Sequence, residues 1–280
     1  LYHGSPYGKE TIPIYELLAE KYGFTLHTVP LRQGAAYVED EDFLDAWTPQ
    51  VGLALLTWVS STSSHRIDLN RMVAHGRRMG SLIGTDITQG AGLIPYDVTA
   101  PEVDFTVTTS LKWMCGTPGA GILYVSPRLT PHLTPSLRGW FSQDNPFNWD
   151  ITRFAYAPDI RRFDNGTPGC MAALASLPAM DWHAAQDHGA ILAHNRRLTA
   201  QLIDMADALA LPLVTPREEA KRGGSVMLRL PNDLPAPQVV ATLRAQGIKL
   251  RVGQTKFLFQ RLQNDHHEGA VKKLNHGNQR

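Results

Sequence analysis

The sequence predicts an α/β fold: a mostly parallel sheet sandwiched by helices, followed by a partial small α+β subdomain. Three observations predict it. Apolar runs of strand length alternate with helical-period runs from residue 11 to residue 85, the pattern of strand–helix–strand crossover units. Residues 51–60 (VGLALLTWVS) are apolar almost throughout, as expected of a strand covered on both faces. Past Gly224 a shorter strand–helix–strand sequence follows. With 280 residues and 43 % hydrophobic content the chain can bury a full core.

Residues 11–22 (TIPIYELLAEKY) carry apolar residues at helical spacing, with Pro13 near the start and Gly23 just past the end. Residues 24–30 alternate as a strand, and 40–47 read as a short helix. The apolar strand 51–60 comes next, then a helix over 69–79 closed by Gly80. Residues 81–85 form the next strand and deliver Asp86 at its carboxyl end. Residues 103–108 alternate as a strand that leads to Lys112 and the turn Gly116-Thr-Pro-Gly-Ala-Gly121. Residues 127–158, rich in Pro and aromatics, read as a long loop over the site. Helices are expected over 171–182 and 191–208, a strand over 224–231, a helix over 236–246 and a last strand over 248–252. The expected organisation is a large domain at 1–210, a partial small domain at 211–262 and a disordered tail at 263–280.

Composition excludes several classes. With 27 basic and 26 acidic residues the net charge is +1, so nothing points to nucleic acid or a membrane surface. No apolar run approaches the ~18–20 residues that span a bilayer. No basic-then-apolar leader opens the sequence, and a cytoplasmic location is expected. Two cysteines, Cys115 and Cys170, make neither a disulfide framework nor a zinc site; both are expected to be buried small hydrophobes. His266, His267 and His276 are expected on the solvated tail rather than around a metal.

The chemistry concentrates at strand ends. Ligands of parallel sheets sit at the carboxyl ends of strands, and Asp86 and Lys112 each fall just after one, so both are expected to face one crevice. Gln89 follows Asp86 by three residues. A lysine that forms a Schiff base with pyridoxal 5'-phosphate needs a carboxylate for the pyridine nitrogen and donors for the phosphate. Asp86 suits the nitrogen, Gln89 the phenolic oxygen, and Thr109, Ser110 and the glycine turn the phosphate. The plainer alternative is an Asp that caps a helix and a lysine that snorkels to solvent.

The segments TWVSSTSSHRIDL, GTDITQGAGLIPYDV and VDFTVTTSLKWMCGTPGAGILYV resemble the class V aminotransferase family, fold type I of the pyridoxal phosphate enzymes, in its kynureninase and cysteine desulfurase branch. The resemblance covers residues 58 to about 177. It implies a seven-stranded type of sheet and a homodimer with shared sites that acts on a small-molecule amino acid. Position by position, it implies that Lys112 is the Schiff-base lysine, Asp86 the pyridinium partner, Gln89 the neighbour of the phenolic oxygen and Thr109 a phosphate ligand. Ser61 stands where many members have Asn. Asn165-Gly166-Thr167-Pro168 resembles the Gly-Thr-Pro segment, and Thr167 there reaches the phosphate of the partner subunit's cofactor. Trp140, in Arg138-Gly-Trp-Phe141, resembles the kynureninase Trp near the substrate; an interface aromatic is the alternative. His65 and Arg66, on the loop after residues 51–60, are substrate candidates or simply solvated.

The resemblance also implies family residues beyond both ends of this sequence, including a phosphate-binding turn and a ring-stacking residue upstream of Leu1. Leu111 stands where kynureninases have Tyr and desulfurases His. The segment GIKLRVGQ leads into Gln254-Thr-Lys-Phe, without the desulfurase cysteine, so a kynureninase-like Cβ–Cγ lyase or a transaminase is favoured over a desulfurase. Arg251 and Arg261 are candidates for the substrate carboxylate. The rival expectation is a degenerate or truncated paralogue that keeps fold and dimer surface but not catalysis. A plain nucleotide-binding domain is weaker, because neither G-x-G-x-x-G nor G-x-x-x-x-G-K follows a strand.

Overall fold

The computed structural model describes residues 2–3, 12–231, 234–248, 250–252 and 257–260. Among the described residues five strands form the large sheet: β1 (Tyr2–His3), β2 (Leu53–Thr57), β3 (Leu82–Asp86), β4 (Phe105–Thr109) and β5 (Gly121–Val125), side by side in that order. β1 to β4 are parallel and β5 runs antiparallel to β4. The sheet is therefore mixed and mostly parallel. Its register aligns Thr57 with Asp86 and Asp86 with Val107, which puts the carboxyl ends of β2, β3 and β4 at one edge.

Two helices close one face. α2 (Asp40–Ala46) and α3 (Leu69–Met79) contribute Phe43, Met72 and Val73 to a core with Trp47, Ala54, Leu56 and Ile83. α3 is locally well specified. Asp68 caps it by accepting the Arg71 N–H at 3.1 Å, and Gly80 ends it in the left-handed region at φ 78°. Gly76 permits the close approach of helix to sheet: a Cβ there would lie 2.9 Å from Ile83 Cδ1 of β3 and 2.5 Å from the Trp47 ring. Asp104, fully buried, accepts the Ile83 N–H at 2.7 Å and pairs with Arg77 at 2.6 Å and with Arg128, which ties α3 to β3 and β4.

The expectation that β2 is covered on both faces is met on one. Ala54 and Leu56 are fully buried, whereas Leu53 on the other face is 44 % exposed. The reason is that α2 and α3 both pack on the Ala54 and Leu56 side. Residues 24–30 form no strand. The edge of β2 that such a strand would use is occupied by β1, and the run remains a connection with Phe24 exposed and Val29 against the core.

α1 (Ile12–Tyr22) precedes that connection. After β5 the chain runs through residues 126–169 in loops and short 3-10 turns, with Leu137, Phe147, Trp149 and Ile151 exposed. α4 (Cys170–Ala184) and α5 (His188–Ala208) follow. β6 (Val226–Arg229), α6 (Ala236–Ala245), β7 (Leu250–Val252) and β8 (Phe257–Gln260) make a small α+β layer. Its antiparallel sheet has the order β6-β8-β7, and α5 packs on it through Ile203 and Ala206 against Val226 and Leu228. The expected tail at 263–280, with His266, His267 and His276, lies outside the described residues, as do Gln254 and Arg261 and the side chain of Arg251.

Candidate active site

Three strand ends meet here. Asp86 closes β3, half-buried, and its Oδ1 accepts the Thr88 N–H at 2.9 Å. Gln89 follows on the same turn, also half-buried. Thr109 closes β4, and its N–H reaches Thr88 Oγ1 at 3.4 Å, so the turn after β3 is bonded to the end of β4. The Thr109 hydroxyl lies 3.3 Å from the Ala120 carbonyl, to which it donates, and it accepts the Leu111 N–H at 3.3 Å. Lys112 is half-buried in the turn that follows. Asp86, Gln89, Thr109 and Lys112 thus gather at one edge of the sheet, with Ser61 exposed on the turn after β2.

The other named residues lie elsewhere. Ser110 is buried, and its hydroxyl is engaged with the Thr117 and Ala120 carbonyls at 2.9 and 3.1 Å. His65 is not on a solvated loop. It is 1 % exposed, stacked on the Tyr37 ring at 4.4 Å, with 3.9 Å between its Nε2 and Asp40 Oδ1. Burial raises the Asp40 carboxyl above its ordinary value. Arg66 is half-buried and donates twice to the Ala220 carbonyl, at 2.8 and 2.6 Å. Beside it Arg196 donates to the Gly223 and Arg222 carbonyls, both at 2.6 Å. Burial first, then Arg222 and Arg66, lower the Arg196 pKa to about 10. These arginines stitch residues 220–223 to the loop after β2 and to α5.

Trp140 is 42 % exposed, on a short turn beside Phe147 and Trp149. Its indole N–H donates to the Pro146 carbonyl. The Phe141 N–H donates to the Asn165 carbonyl at 3.2 Å, which joins the Trp140 turn to the segment holding Thr167. Thr167 itself is exposed. Both cysteines are exposed, against expectation. Cys115 takes a left-handed conformation, φ 57°, in the tight turn after Lys112, and Cys170 opens α4 in a segment, 164–171, that is exposed throughout. Being small and apolar does not bury a residue where nothing packs over it.

Sequence reasoning missed Trp113, Ser176 and His183. Trp113 is held in a slot made by two glycines. A Cβ at Gly92 would lie 2.8 Å from the Trp113 main chain, and one at Gly224 2.7 Å from its indole. Ser176 accepts the Thr117 N–H at 3.0 Å, and His183 Nε2 lies 3.1 Å from the Trp113 carbonyl oxygen. Their signal was two polar residues seven apart, one face of a helix, in an otherwise apolar run.

The residues present fit pyridoxal phosphate at its ring end. A carboxylate, an amide, a hydroxyl and a primary amine stand at or just after the ends of β3 and β4, which are the groups that a pyridinium, a phenolic oxygen, a phosphate and an aldehyde require. For the phosphate, the hydroxyls of Thr109 and Ser110 both contact the Ala120 carbonyl, and half-buried Thr109 fits better than buried Ser110. Among the described residues no cluster of His, Cys, Asp and Glu would hold a metal ion, and no helix is long and apolar enough to cross a membrane.

An open α/β sheet with a carboxylate and a lysine at adjacent strand ends defines a class of ligand-binding crevice. The family follows from comparison: the chain belongs to the class-V aminotransferases, whose family model matches residues 10–267. It is 32 % identical to a kynureninase of Deinococcus radiodurans over 213 residues, 74 % of this chain and 51 % of that protein. It is 28 % identical to a probable cysteine desulfurase of Streptomyces coelicolor over 243 residues, 85 % of this chain and 56 % of that protein. The chain spans about half the length of these curated relatives. In fold it is similar to the cystine C–S lyase C-DES, solved with glycine covalently linked to its pyridoxal phosphate. The TM-score is 0.84 at 20 % identity, covering 98 % of this chain and 72 % of that one.

Proposed function

We propose that this chain is part of a pyridoxal phosphate-dependent enzyme that acts on an amino acid, by kynureninase-like hydrolytic Cβ–Cγ cleavage or by transamination. The carrying observation is the convergence of Asp86, Gln89, Thr109 and Lys112 at the bonded ends of β3 and β4. When bound, the cofactor supplies an electron sink for a carbanion beside the substrate nitrogen. The Asp86 carboxylate would accept the N–H of the ring nitrogen and so keep it protonated, and the Gln89 amide N–H would donate to the phenolic oxygen. The Thr109 hydroxyl, with Ser61 at the rim, addresses the phosphate. Lys112 Nζ anchors the group and moves a proton at the substrate Cα.

Desulfuration is disfavoured because Gln254-Thr-Lys-Phe carries no cysteine where the nucleophile belongs. Trp140 contributes to substrate choice, whereas His65, buried against Tyr37, and Arg66, engaged by the Ala220 carbonyl, serve structure instead. The homodimer reading is supported by exposed Thr167 and by Met171, Leu174 and Leu177 of α4, which are 77, 55 and 49 % exposed. A cytoplasmic location is part of the same reading.

A lysine-dependent absorbance near ~420 nm is expected when pyridoxal phosphate is added to the chain, and its complete loss in Lys112→Ala. A band that persists in Lys112→Ala, or never forms, overturns the reading. A second reading, a paralogue that keeps the fold without the chemistry, is favoured by Leu111, whose apolar side chain is 42 % exposed beside Lys112. Cofactor binding without turnover of any amino acid is its signature.

A further inference from the structure

We propose that His183 is a positioning residue for Lys112, holding the lysine-bearing turn against α4 through the main-chain carbonyl of Trp113. The proposal rests on Lys112 being the cofactor-bearing amine.

The turn is closed internally by Gly116 N–H to the Ser110 carbonyl, 2.8 Å, and Cys115 N–H to the Lys112 carbonyl, 3.1 Å. Those bonds fix its shape and not its place relative to the sheet. Its place is set from outside. Trp113, one residue past Lys112, sits in the slot between Gly92 and Gly224, and α4 reaches the turn at two points. Ser176 accepts the Thr117 N–H, while the Thr117 hydroxyl donates to the Ala172 carbonyl at 2.8 Å. Two helical turns later His183 reaches the Trp113 carbonyl. Ser176 and His183 are the two buried residues of α4. The inward face of this helix is therefore polar and matched to the main chain of the lysine turn.

The chemistry assigns the ring's state. A carbonyl only accepts, so Nε2 carries the proton and donates it, and Nδ1 is left as a bare acceptor. Nδ1 is buried and has no hydrogen-bond partner. An aromatic hydrocarbon would fill the same space without that penalty, so what the imidazole adds here is its Nε2 donation to the main chain of the lysine turn. Burial lowers the His183 pKa and keeps the ring neutral. His188, which donates to the His183 carbonyl at 2.9 Å, fixes the helix end from which the ring projects.

The test uses the whole chain and three forms: wild type, His183→Phe and His183→Gln. Amide exchange is followed by mass spectrometry in peptides covering 110–117, with α3 peptides as the control. His183→Phe is expected to exchange about fivefold faster in the lysine turn, the factor that one ordinary hydrogen bond allows, with α3 unchanged. His183→Gln keeps an N–H donor and is expected to return toward wild type. In parallel, Lys112 is captured by pyridoxal phosphate and borohydride, and the rate of modification should fall with Phe and recover with Gln. Unchanged exchange in His183→Phe overturns the proposal. So does acceleration that is equal in the turn and in α3, or that Gln does not reverse, because either marks a packing role alone. If the exchange results hold and wild-type Lys112 is never captured, the positioning contact stands and the cofactor reading falls.

Discussion

α3 packs on the sheet and α4 on the lysine turn between β4 and β5, and the two are attached by different physics. α3 buries Leu69, Met72, Val73 and Gly76 in a continuous apolar stripe, with a side-chain cap at its start and a left-handed glycine at its end. α4 buries only Ser176 and His183. Its large apolar residues Met171, Leu174, Leu177 and Trp182 point outward, half exposed or more except Leu177 at 49 %. Apolar burial is non-directional and stabilises in proportion to area, so α3 acts as a strut. Hydrogen bonds are directional and individually modest, so α4 acts as a gauge that sets where the Lys112 turn sits.

The comparison can be broken at four places. Met72 is fully buried on α3, and Met72→Ala is expected to lose about 2–5 kcal/mol of stability in urea unfolding, through lost burial and a residual cavity. A loss below about 1 kcal/mol would mean that α3 is not held by apolar contact. Ser176→Ala removes the acceptor of the Thr117 N–H; about 1–2 kcal/mol is expected, read by the same titration.

The third prediction concerns pH. Burial, reinforced by His188, puts the folded-state pKa of His183 below its ordinary 6.5. Between those two values the unfolded chain binds a proton that the folded chain refuses. His183 therefore favours the fold fully above pH 6.5, and that contribution falls away as pH drops toward the folded value. The urea midpoint should fall more between pH 7 and pH 5 in wild type than in His183→Gln, run over roughly that interval. Equal slopes would remove His183 from the account. The smallest effect belongs to the outer face of α4, where Leu174→Glu should stay within about 0.5 kcal/mol in the isolated chain. By the homodimer reading the same substitution should lower the apparent mass by light scattering, and an unchanged mass would mean that no second copy covers this face.

The strand-end pair was legible because its rule is topological. Asp86 and Lys112 follow strands of one parallel sheet, and no knowledge of packing is needed to bring them together. α3 was legible for a local reason, since Asp68, the apolar stripe and Gly80 agree. α4 was legible as a helix over 171–182, but not its inward side, which carries Ser176 and His183 rather than Met171, Leu174 and Leu177 and whose use depends on main-chain atoms about 60 to 70 positions away. β8 was missed because four residues, FLFQ, carry too little pattern to stand out. His65 was expected either at the substrate or in solvent, and its burial was not legible because its cover, Tyr37, comes from a loop that precedes α2.

The residue-by-residue pairing of β2 with β3, from Leu53 with Leu82 to Thr57 with Asp86, constrains how this chain can change its length. Side chains alternate faces along a strand, so deleting one residue within 82–85 would swing Asp86 into the place of Thr85, which is fully buried and bonded to Thr106 and Tyr96. Residues 97–102 are mostly exposed and can be lengthened or shortened without shifting either strand. Descendants of this sequence would accordingly vary in length around the site and keep the spacing within β3 invariant.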